Sequence, residues 1–411
     1  MVRTFNEITR RACMLGAAIA ISLLATSADA SNFKVLYSFI GTFDNATDGA
    51  VPAAGLLRDS AGNLYGTASQ GGDIKCGGGC GTVFKYSPAN KKETTLLIFH
   101  GKNGMTPVGN LIEDADGNLY GTTLGGGKNN SSGVVFKLSA KGVETVLHAF
   151  CAKKNCTDGK APYGGLIADT SGNLYGTASA GGALGLGVVY KIAKGGSETV
   201  LHSFKGNADG ATPMGGLMMA ANGKMYGTTS AGGSTSCEGP GCGTIYQITT
   251  AGKETALYKF CATGSCVFGQ EPWAPPVMDK AGNLYGTTRV GGGHGVGVLF
   301  KLTPAGKESV IYAFAGGNDG SEPTGGVIRD SNGNFFGATL FGGGEDGYGT
   351  VFKITKKGKE NILHKFTGGN DGGQGKAGLI MDSTGNLYGT AQVGGTESAG
   401  VIYKVVRSPA S

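Results

Sequence analysis

The stretch Asp59-Ser-Ala-Gly62-Asn63-Leu64-Tyr65-Gly66-Thr67 recurs seven times along the chain with small changes. Its aromatic residue is found at Tyr65, Tyr120, Tyr175, Tyr226, Tyr285, Phe336 and Tyr388. The first five residues are typical of a turn, because an Asp side chain can cap it and Gly and Asn tolerate a positive φ. Leu-Tyr-Gly-Thr then begins a strand, with Leu and Tyr on opposite faces. The motif therefore predicts one β-hairpin in each repeat.

A glycine follows the aromatic residue in every copy of the motif, inside the predicted strand. These glycines are Gly66, Gly121, Gly176, Gly227, Gly286, Gly337 and Gly389. Glycine weakens a strand, so its recurrence requires a cause. We expect a neighbouring backbone or aromatic ring to approach each glycine closely.

Each repeat supplies four short strands. In the first repeat they are residues 54–59, the motif strand 64–69, a strand over 81–86 and another over 93–99. The motif aromatics are 51 to 59 residues apart. A repeat of about 50 residues with four strands is typical of a β-propeller blade. The sequence therefore predicts an all-β fold, a single seven-bladed β-propeller with four-stranded blades over residues 31–411.

The two ends of the chain predict how the ring closes. Residues 34–39 form a strand of the type that ends each repeat, whereas the last strand, at 400–405, is of the type that precedes it. We expect the N-terminal strand to pair with the last one and to complete the seventh blade. This pairing removes two exposed strand edges.

Residues 1–30 have the pattern of a secretory signal peptide. A basic start is followed by an apolar run over 12–25 and by the small-residue cleavage site Ala28-Asp29-Ala30. Thr9-Arg10-Arg11 also allows a twin-arginine signal, although the general export route fits the following residues better. We therefore expect cleavage near Ala30 and a secreted, periplasmic or cell-surface protein.

Composition and charge exclude several classes of partner. The chain carries a formal net charge of +6 over 411 residues. Outside residues 1–30 the arginines are scattered, at Arg58, Arg289, Arg329 and Arg407. Nucleic-acid binding usually needs a clustered basic stripe.

Apart from the apolar run of the predicted signal peptide, no apolar stretch approaches the length of a transmembrane helix. We expect no nucleic-acid partner, no transmembrane segment in the mature chain, and a monomer.

Eight cysteines outside the predicted signal form four close pairs. The pairs are Cys76/Cys80, Cys151/Cys156, Cys237/Cys242 and Cys261/Cys266. A zinc interpretation exists for such spacings, but no His lies beside any pair. In an exported chain, local disulfides are the better interpretation. Each disulfide would stabilise its loop by about 2 kcal/mol, and we expect no metal and no cofactor.

The long and variable loops fall on one face of the predicted propeller. They join second to third strands, and fourth strands to the next first strand; such loops on a rigid scaffold commonly carry function. Trp273, the only tryptophan, lies there among prolines, where it can stack on a sugar ring or anchor a partner. The alternative is that Trp273 fills an irregular first strand. We predict a ligand site at Trp273, with Glu271 and Arg289 as polar partners and His294 beside them.

No catalytic residue stands out from the repeats. The chain has no Gly-x-Ser-x-Gly or His-Glu-x-x-His motif and no distinct pair of facing carboxylates. His148, His202 and His364 share a repeat position that elsewhere holds Tyr or Leu, which indicates packing. Two hypotheses remain: a non-catalytic propeller that binds a glycan or protein partner through its variable loop face, or a polysaccharide hydrolase or lyase whose site is assembled from several blades.

The motifs, taken together, resemble the GloVer tandem repeat of bacterial exported proteins. The resemblance rests on Gly-Asn-Leu-Tyr-Gly-Thr-Thr, then Gly-Gly-Gly, then Gly-Val-Val-Phe-Lys-Leu, then Glu-Thr-Val-Leu-His. It covers essentially the whole predicted mature chain. It implies a bacterial envelope or secreted protein, and it implies no particular activity.

Overall fold

The computed structural model describes residues 32–41, 48–128, 132–234, 236–237 and 241–407. These residues form seven antiparallel sheets of four strands each, which are the blades of a β-propeller. The predicted fold is therefore confirmed. The predicted signal peptide, residues 1–30, lies outside the described residues. Within the described ranges, no helix has the length and apolar character needed to cross a membrane.

The strands of blades 1 to 3 follow one another along the chain, from the inner to the outer edge of each blade. Blade 1 contains β2 (Leu57–Arg58), β3 (Leu64–Ala68), β4 (Thr82–Ser87) and β5 (Lys92–Ile98). Blade 2 contains β6 (Ile112–Glu113), β7 (Leu119–Thr123), β8 (Val134–Leu138) and β9 (Glu144–Ala149). Blade 3 contains β10 (Ile167–Ala168), β11 (Leu174–Ala178), β12 (Val188–Ile192) and β13 (Glu198–Ser203). Single 3₁₀ turns are found at Ile74–Cys76 and Lys154–Cys156.

Blades 4 to 6 repeat this order. Blade 4 contains β14 (Met218–Met219), β15 (Met225–Thr229), β16 (Thr244–Ile248) and β17 (Glu254–Lys259). Blade 5 contains β18 (Val277–Met278), β19 (Leu284–Thr288), β20 (Val298–Leu302) and β21 (Glu308–Ala313). Blade 6 contains β22 (Ile328–Arg329), β23 (Phe335–Ala338), β24 (Thr350–Ile354) and β25 (Glu360–Lys365).

Blade 7 joins the two ends of the chain, as the sequence predicts. It contains β26 (Ile380–Met381), β27 (Leu387–Ala391), β28 (Val401–Val406) and, on its outer edge, β1 (Asn32–Ser38). In the antiparallel β1–β28 pair, Val35 lies opposite Tyr403. Phe33 of β1 stacks on His364 of blade 6, with ring centroids 3.6 Å apart. The N-terminal strand therefore both completes a sheet and packs on the neighbouring blade.

The repeated turn is capped by its aspartate. Asp59 accepts hydrogen bonds from the backbone and the side chain of Asn63, at 2.8 and 2.7 Å, and from the Tyr65 hydroxyl at 3.2 Å. The same tyrosine-to-aspartate bond is found at Tyr120/Asp114, Tyr175/Asp169, Tyr285/Asp279 and Tyr388/Asp382. The motif tyrosine therefore holds its own turn.

The motif glycine makes room for an aromatic ring on the next strand. Gly66 lies opposite Phe84, and a Cβ on Gly66 would lie 2.5 Å from the Phe84 ring. The other blades pair Gly with Phe or Tyr in the same way: Gly121/Phe136, Gly176/Tyr190, Gly227/Tyr246, Gly286/Phe300, Gly337/Phe352 and Gly389/Tyr403. The expected close approach is confirmed, and its cause is a cross-strand ring.

The inner segments of the blades contact one another around the axis. The position of a Cβ on Gly55 lies 3.1 Å from Asn110 of blade 2 and 3.2 Å from the Gly378 carbonyl of blade 7. Threonine hydroxyls of second strands donate to the inner segment of the following blade, as in Thr177 Oγ1 to the Gly215 carbonyl at 2.7 Å. A side chain at Gly55 would therefore collide with the neighbouring blades.

In the segment that leads into each inner strand, one residue connects neighbouring blades and has a left-handed backbone conformation. These tie residues are Val51, Thr106, Ala161, Thr212, Glu271, Glu322 and Gln374, with φ between 54 and 58°. The backbone N–H of Glu271 donates to the Cys242 carbonyl of blade 4. The backbone carbonyl of Glu271 accepts from the backbone N–H of Arg289 in blade 5. A non-glycine residue in this region is uncommon. Its recurrence at each junction indicates that the two inter-blade hydrogen bonds hold it there.

Candidate functional site

A cavity of about 320 Å³ lies on the propeller axis, where the inner segments begin. The residue two positions after each tie residue lines it. This mouth ring consists of Ala53, Val108, Tyr163, Met214, Trp273, Thr324 and Lys376. Each blade contributes one member, from the connection that brings the chain in from the previous blade. The mouth ring therefore lies on the face of the long loops, where the sequence predicts the site.

The mouth ring supplies most of the side-chain chemistry of the cavity. Below it, much of the wall is glycine: Gly109, Gly164, Gly165, Gly215, Gly216, Gly325 and Gly378. The ring itself offers two aromatic faces, a thioether and one ammonium group, whereas the hydroxyl of the buried Thr324 donates to the Lys376 carbonyl at 3.2 Å. The rest of the wall consists of apolar side chains and the amide of Asn110, so the aromatic faces and the charge come from the ring residues.

Lys376 brings a positive charge into the cavity. Its Nζ lies 5.3 Å from the ring centroid of Tyr163, a distance typical of a cation–π contact. Both side chains are half-buried. Among the described residues, no carboxylate lies within ion-pair distance of Lys376. The ammonium group is therefore available to an anionic ligand.

Trp273 is braced by Arg289, a residue of blade 5 that binds the tie residues preceding blades 5 and 6. The guanidinium carbon of Arg289 lies 5.2 Å from the centroid of the Trp273 ring. Arg289 donates to Glu271 from Nη2 at 2.7 Å and from Nε at 2.9 Å, and to Glu322 from Nη1 at 3.0 Å. Burial alone would lower the pKa of Arg289, but the hydrogen bonds to the two carboxylates outweigh it and raise that pKa. Arg289 therefore stays charged and paired.

The structure brings together three of the four residues predicted as the ligand site. Glu271, Arg289 and Trp273 form one cluster, and only Trp273 of the three lines the cavity. His294 is exposed in the loop between β19 and β20 and does not line the cavity. Whether these residues bind a ligand stays a prediction. Glu271 and Arg289 are paired with each other, so their visible role is to hold Trp273.

Sequence reasoning missed Tyr163, Met214 and Lys376. The signal that identifies them is positional, because each occupies the place of Trp273 in its own repeat. A comparison of the seven repeats at this position shows seven different residues: Ala, Val, Tyr, Met, Trp, Thr and Lys. Such variability inside an otherwise regular repeat is typical of a binding surface.

The cysteine pairs lie as the sequence predicts, each next to its near neighbour. The Cα atoms are 5.1 Å apart in Cys76/Cys80, 4.0 Å in Cys151/Cys156, 5.6 Å in Cys237/Cys242 and 4.7 Å in Cys261/Cys266. These separations suit disulfides or fall just short of their usual range. All four pairs are thus capable of bonding, and their oxidation stays a prediction.

The repeated histidines bind aspartates near the outer rim. The Nε2 atoms of His148, His202 and His364 lie 2.9 to 3.1 Å from Asp158, Asp209 and Asp371. In other blades a tyrosine replaces the histidine, as in the bond from Tyr37 to Asp48. This exchange supports packing and loop anchoring as their role.

One of these clusters has ligand atoms that suit a metal. The side chains of His202, Asp209 and Glu254 place a nitrogen and two carboxylate oxygens within 4.8 Å of one another. Equivalent groups recur in other blades with Tyr in place of His. We therefore interpret this cluster as one copy of the repeated rim arrangement.

Comparisons with known proteins identify a repeat family and a fold. The Gloeobacter/Verrucomicrobia repeat matches residues 22–155, 151–328 and 236–410. A solved extracellular domain, described as part of a hybrid two component system from B. thetaiotaomicron, is 12% identical with a TM-score of 0.56, covering 92% of this chain and 42% of that one. An oligogalacturonate lyase from Vibrio parahaemolyticus is 11% identical with a TM-score of 0.51, covering 92% and 96%.

Among curated proteins, none matches this chain. At these identities, the two structural likenesses show a shared propeller fold and nothing about activity.

Proposed function

This chain belongs to the Gloeobacter/Verrucomicrobia repeat family, and on that premise we propose that it is an exported, non-catalytic β-propeller that binds a glycan at its mouth ring. The observation that carries the proposal is the presence of Trp273, Tyr163 and Lys376 in one axial cavity of about 320 Å³. This volume is within the usual range for small-ligand sites. Export is supported by the pattern of residues 1–30 and by the paired cysteines.

The chemistry of the mouth ring suits a carbohydrate. Aromatic side chains offer a large flat apolar face, on which the C–H face of a sugar ring can stack. Trp273 and Tyr163 are both half-buried, so part of each ring is accessible. Lys376 and the exposed Asn110 add hydrogen-bonding groups to the same cavity. A few polar groups among apolar ones are what orients a ligand in a typical pocket.

The residues of the cavity argue against hydrolysis. Glycoside hydrolysis generally uses two facing carboxyl groups. Among the described residues that line the cavity, none is Asp, Glu or His. The acidic groups of the Trp273 cluster, Glu271 and Glu322, are paired with Arg289. This arrangement favours binding over the hydrolase alternative; the lyase alternative, which needs a base but no carboxyl pair, is decided by the assay for unsaturated ends.

A polysaccharide panel tests the proposal. The purified protein is incubated with immobilised neutral and acidic polysaccharides, and both retention and new reducing or unsaturated ends are measured. We expect retention on at least one polysaccharide, weakened in Trp273→Ala, with no new ends. New ends that require the protein would instead support the hydrolase or lyase. Absence of retention on every polysaccharide would reject glycan binding and leave a protein partner.

A further inference from the structure

We propose that, in the reduced chain, Cys237, Cys242, Cys261 and Cys266 bind one Zn²⁺ ion with four thiolates. The four sulfur atoms come from two loops on the loop face of the propeller. Cys237 and Cys242 lie between β15 and β16, and Cys261 and Cys266 lie in the connection from β17 to β18. In the structure all four sulfurs lie within 4.8 Å of one another. The sequence predicts two separate clips here, whereas the fold makes them one cluster.

The sulfur spacing fits a tetrahedral zinc site. Zinc–thiolate bonds of about 2.3 Å place tetrahedral sulfurs about 3.8 Å apart. The Cys237 and Cys266 sulfurs, which belong to different pairs, are already 3.9 Å apart. Reduction frees the two sulfurs within each pair to separate by a similar distance. Four sulfur ligands in a tetrahedron are typical of zinc, because thiolates select soft or borderline metals.

The other two cysteine pairs show why only this place offers four ligands. Cys76 and Cys80 occupy in blade 1 the loop that Cys237 and Cys242 occupy in blade 4, and Cys151 and Cys156 occupy the connection after blade 2. In blade 1 the two positions are also adjacent, since the Cβ position of Gly101 in the connection lies 3.7 Å from the Cys76 sulfur. The blade geometry therefore brings these two loops together, and blade 4 has cysteines in both.

The surroundings of the cluster suit a bound ion. Cys242 and Cys261 are 0% and 2% exposed, and the four cysteines belong to one hydrophobic cluster at the junction of blades 4 and 5. The Gln270 side-chain amide lies 2.9 Å from the Cys237 sulfur. The oxygen and nitrogen of such an amide are nearly indistinguishable, so Gln270 can turn its N–H₂ toward a thiolate. Hydrogen bonds of this kind orient metal ligands and tune them.

The proposal is tested with Co²⁺, which reports its ligands spectroscopically. The full chain is reduced with a phosphine, freed of metal, kept anaerobic and titrated with Co²⁺ and then Zn²⁺. A second sample carries Cys13→Ser, Cys76→Ser, Cys80→Ser, Cys151→Ser and Cys156→Ser, so that only the cluster retains thiols. We expect one Co²⁺ per chain in both samples, with the charge-transfer and visible bands of tetrahedral four-thiolate cobalt. One equivalent of Zn²⁺ should displace it.

Matched variants and the oxidised chain decide the outcome. In the cluster-only background, Cys237→Ser with Cys261→Ser should weaken binding at least about 100-fold, since two of four ligands are lost. Trp273 fluorescence reports whether each variant is folded. The oxidised chain should bind no Co²⁺ at this site, because its sulfurs are then bonded in pairs. Absence of the four-thiolate bands in the reduced cluster-only chain, or equal binding in the oxidised chain, would overturn the proposal.

Discussion

The ammonium nitrogen of Lys376 lies 5.3 Å from the ring centroid of Tyr163, although Lys376 belongs to blade 7 and Tyr163 to blade 3. Blades 7 and 3 are not neighbours in the ring, so the contact joins two inner segments across the mouth of the cavity. It also leaves the positive charge without a carboxylate partner among the described residues. The mouth of the cavity is therefore predicted to favour an anionic ligand.

Replacing Lys376 with Gln should reduce affinity for an acidic polysaccharide more than for a neutral one. The reason is the loss of an unpaired charge in a partly desolvated cavity, where a charged contact contributes more than at the surface. We expect at least about a fivefold loss for the acidic ligand, or roughly 1 kcal/mol. Affinity is measured by calorimetry at low and at moderate salt. Lys307→Gln, in an exposed turn of blade 5, removes the same charge away from the cavity and is the matched control. Equal losses of affinity for the acidic and the neutral polysaccharide in Lys376→Gln would contradict the prediction.

Replacing Trp273 with Ala should weaken ligand binding at least tenfold, or about 1.4 kcal/mol. The melting temperature should change little, because Trp273 is half-buried and lies outside the buried core. Val108→Ala changes another ring position without removing an aromatic face and should have a smaller effect on binding. Thermal unfolding and binding are measured on the same samples. A large loss of stability with unaltered affinity would make Trp273 a packing residue.

Stability should fall as the pH rises from about 5 to about 9. Burial is the main cause that raises the pKa of Glu93 and Glu254 to about 7, and that of Glu308 and Glu360 to about 8. A raised carboxyl pKa means that the folded chain holds its proton more tightly than the unfolded chain. The stabilisation is complete below the unfolded pKa of 4.5 and is lost as the pH rises through the folded value.

Other titrating groups define the window in which this effect is visible. Burial lowers the pKa of His364, which opposes the trend only near the ordinary histidine pKa of 6.5. The capping aspartates have lowered pKa values, because hydrogen bonds from the turn outweigh burial, so their stabilisation is lost only in acid. Between about pH 7 and 9, the glutamates therefore dominate.

Replacing Glu308 with Gln should reduce this pH dependence. Gln keeps an oxygen that can accept the hydrogen bond from the Tyr258 hydroxyl, but it carries no titrating proton. The melting temperature is measured at about pH 5 and about pH 9. Because the Glu308 carboxyl is only about half buried, we expect the difference between these two melting temperatures to shrink by an amount on the order of 2 °C. Glu113→Gln, at an exposed position, is the control. An undiminished pH dependence in Glu308→Gln would count against this assignment.

Adding a methyl group at Gly66 should destabilise blade 1 by about 1 to 3 kcal/mol, because its Cβ would overlap the Phe84 ring. Shortening that ring in Gly66→Ala/Phe84→Leu should recover part of the loss, so the two substitutions are non-additive by at least about 0.5 kcal/mol. Gly195→Ala serves as the control, since no atom lies within 4 Å of its Cβ position. Urea unfolding gives the free energies. Strict additivity would show that the ring is not what requires glycine.

Removing the Phe33 side chain should destabilise the closure of the ring. Phe33 stacks on His364 at 3.6 Å and lies 5.3 Å from the Tyr403 ring centroid. Because Phe33 is half-buried, we expect Phe33→Ala to cost about 2 kcal/mol, below the range for a fully buried phenylalanine. Lys34→Ala, which changes the neighbouring exposed residue on the same strand, is the control. If both variants unfold at the same urea concentration as the wild type, the Phe33 ring contributes little to closure.

Most of the fold could be predicted from the sequence, because the repeat fixes local structure and blade number together. The turn of Asp59 to Asn63, the strand glycine at Gly66 and the pairing of β1 with β28 all follow from repeated local chemistry. The face that carries Trp273 follows from the order of strands within a blade.

The convergence of residues from different blades could not be predicted from one repeat at a time. Lys376 approaches Tyr163 only because seven inner segments close around an axis, a distance that no local pattern encodes. The four-cysteine cluster has a similar origin, since Cys237 and Cys266 lie on loops that are predicted separately and meet through tertiary packing. Arg289 was predicted as a ligand contact, and its pairing with Glu322 of the next blade became visible only in the fold.

Under the proposed function, the mouth ring separates recognition from folding. The tie residue, two positions earlier, makes the hydrogen bonds that join the blades, and it makes them with backbone atoms. The side chain of the ring residue is therefore free to change without loss of those bonds. A single-codon change at one ring position alters one-seventh of the rim and leaves the hydrogen bonds between blades in place. Under the proposed function, chains built on this repeat can change their ligand one blade at a time while the seven-bladed architecture is inherited unchanged.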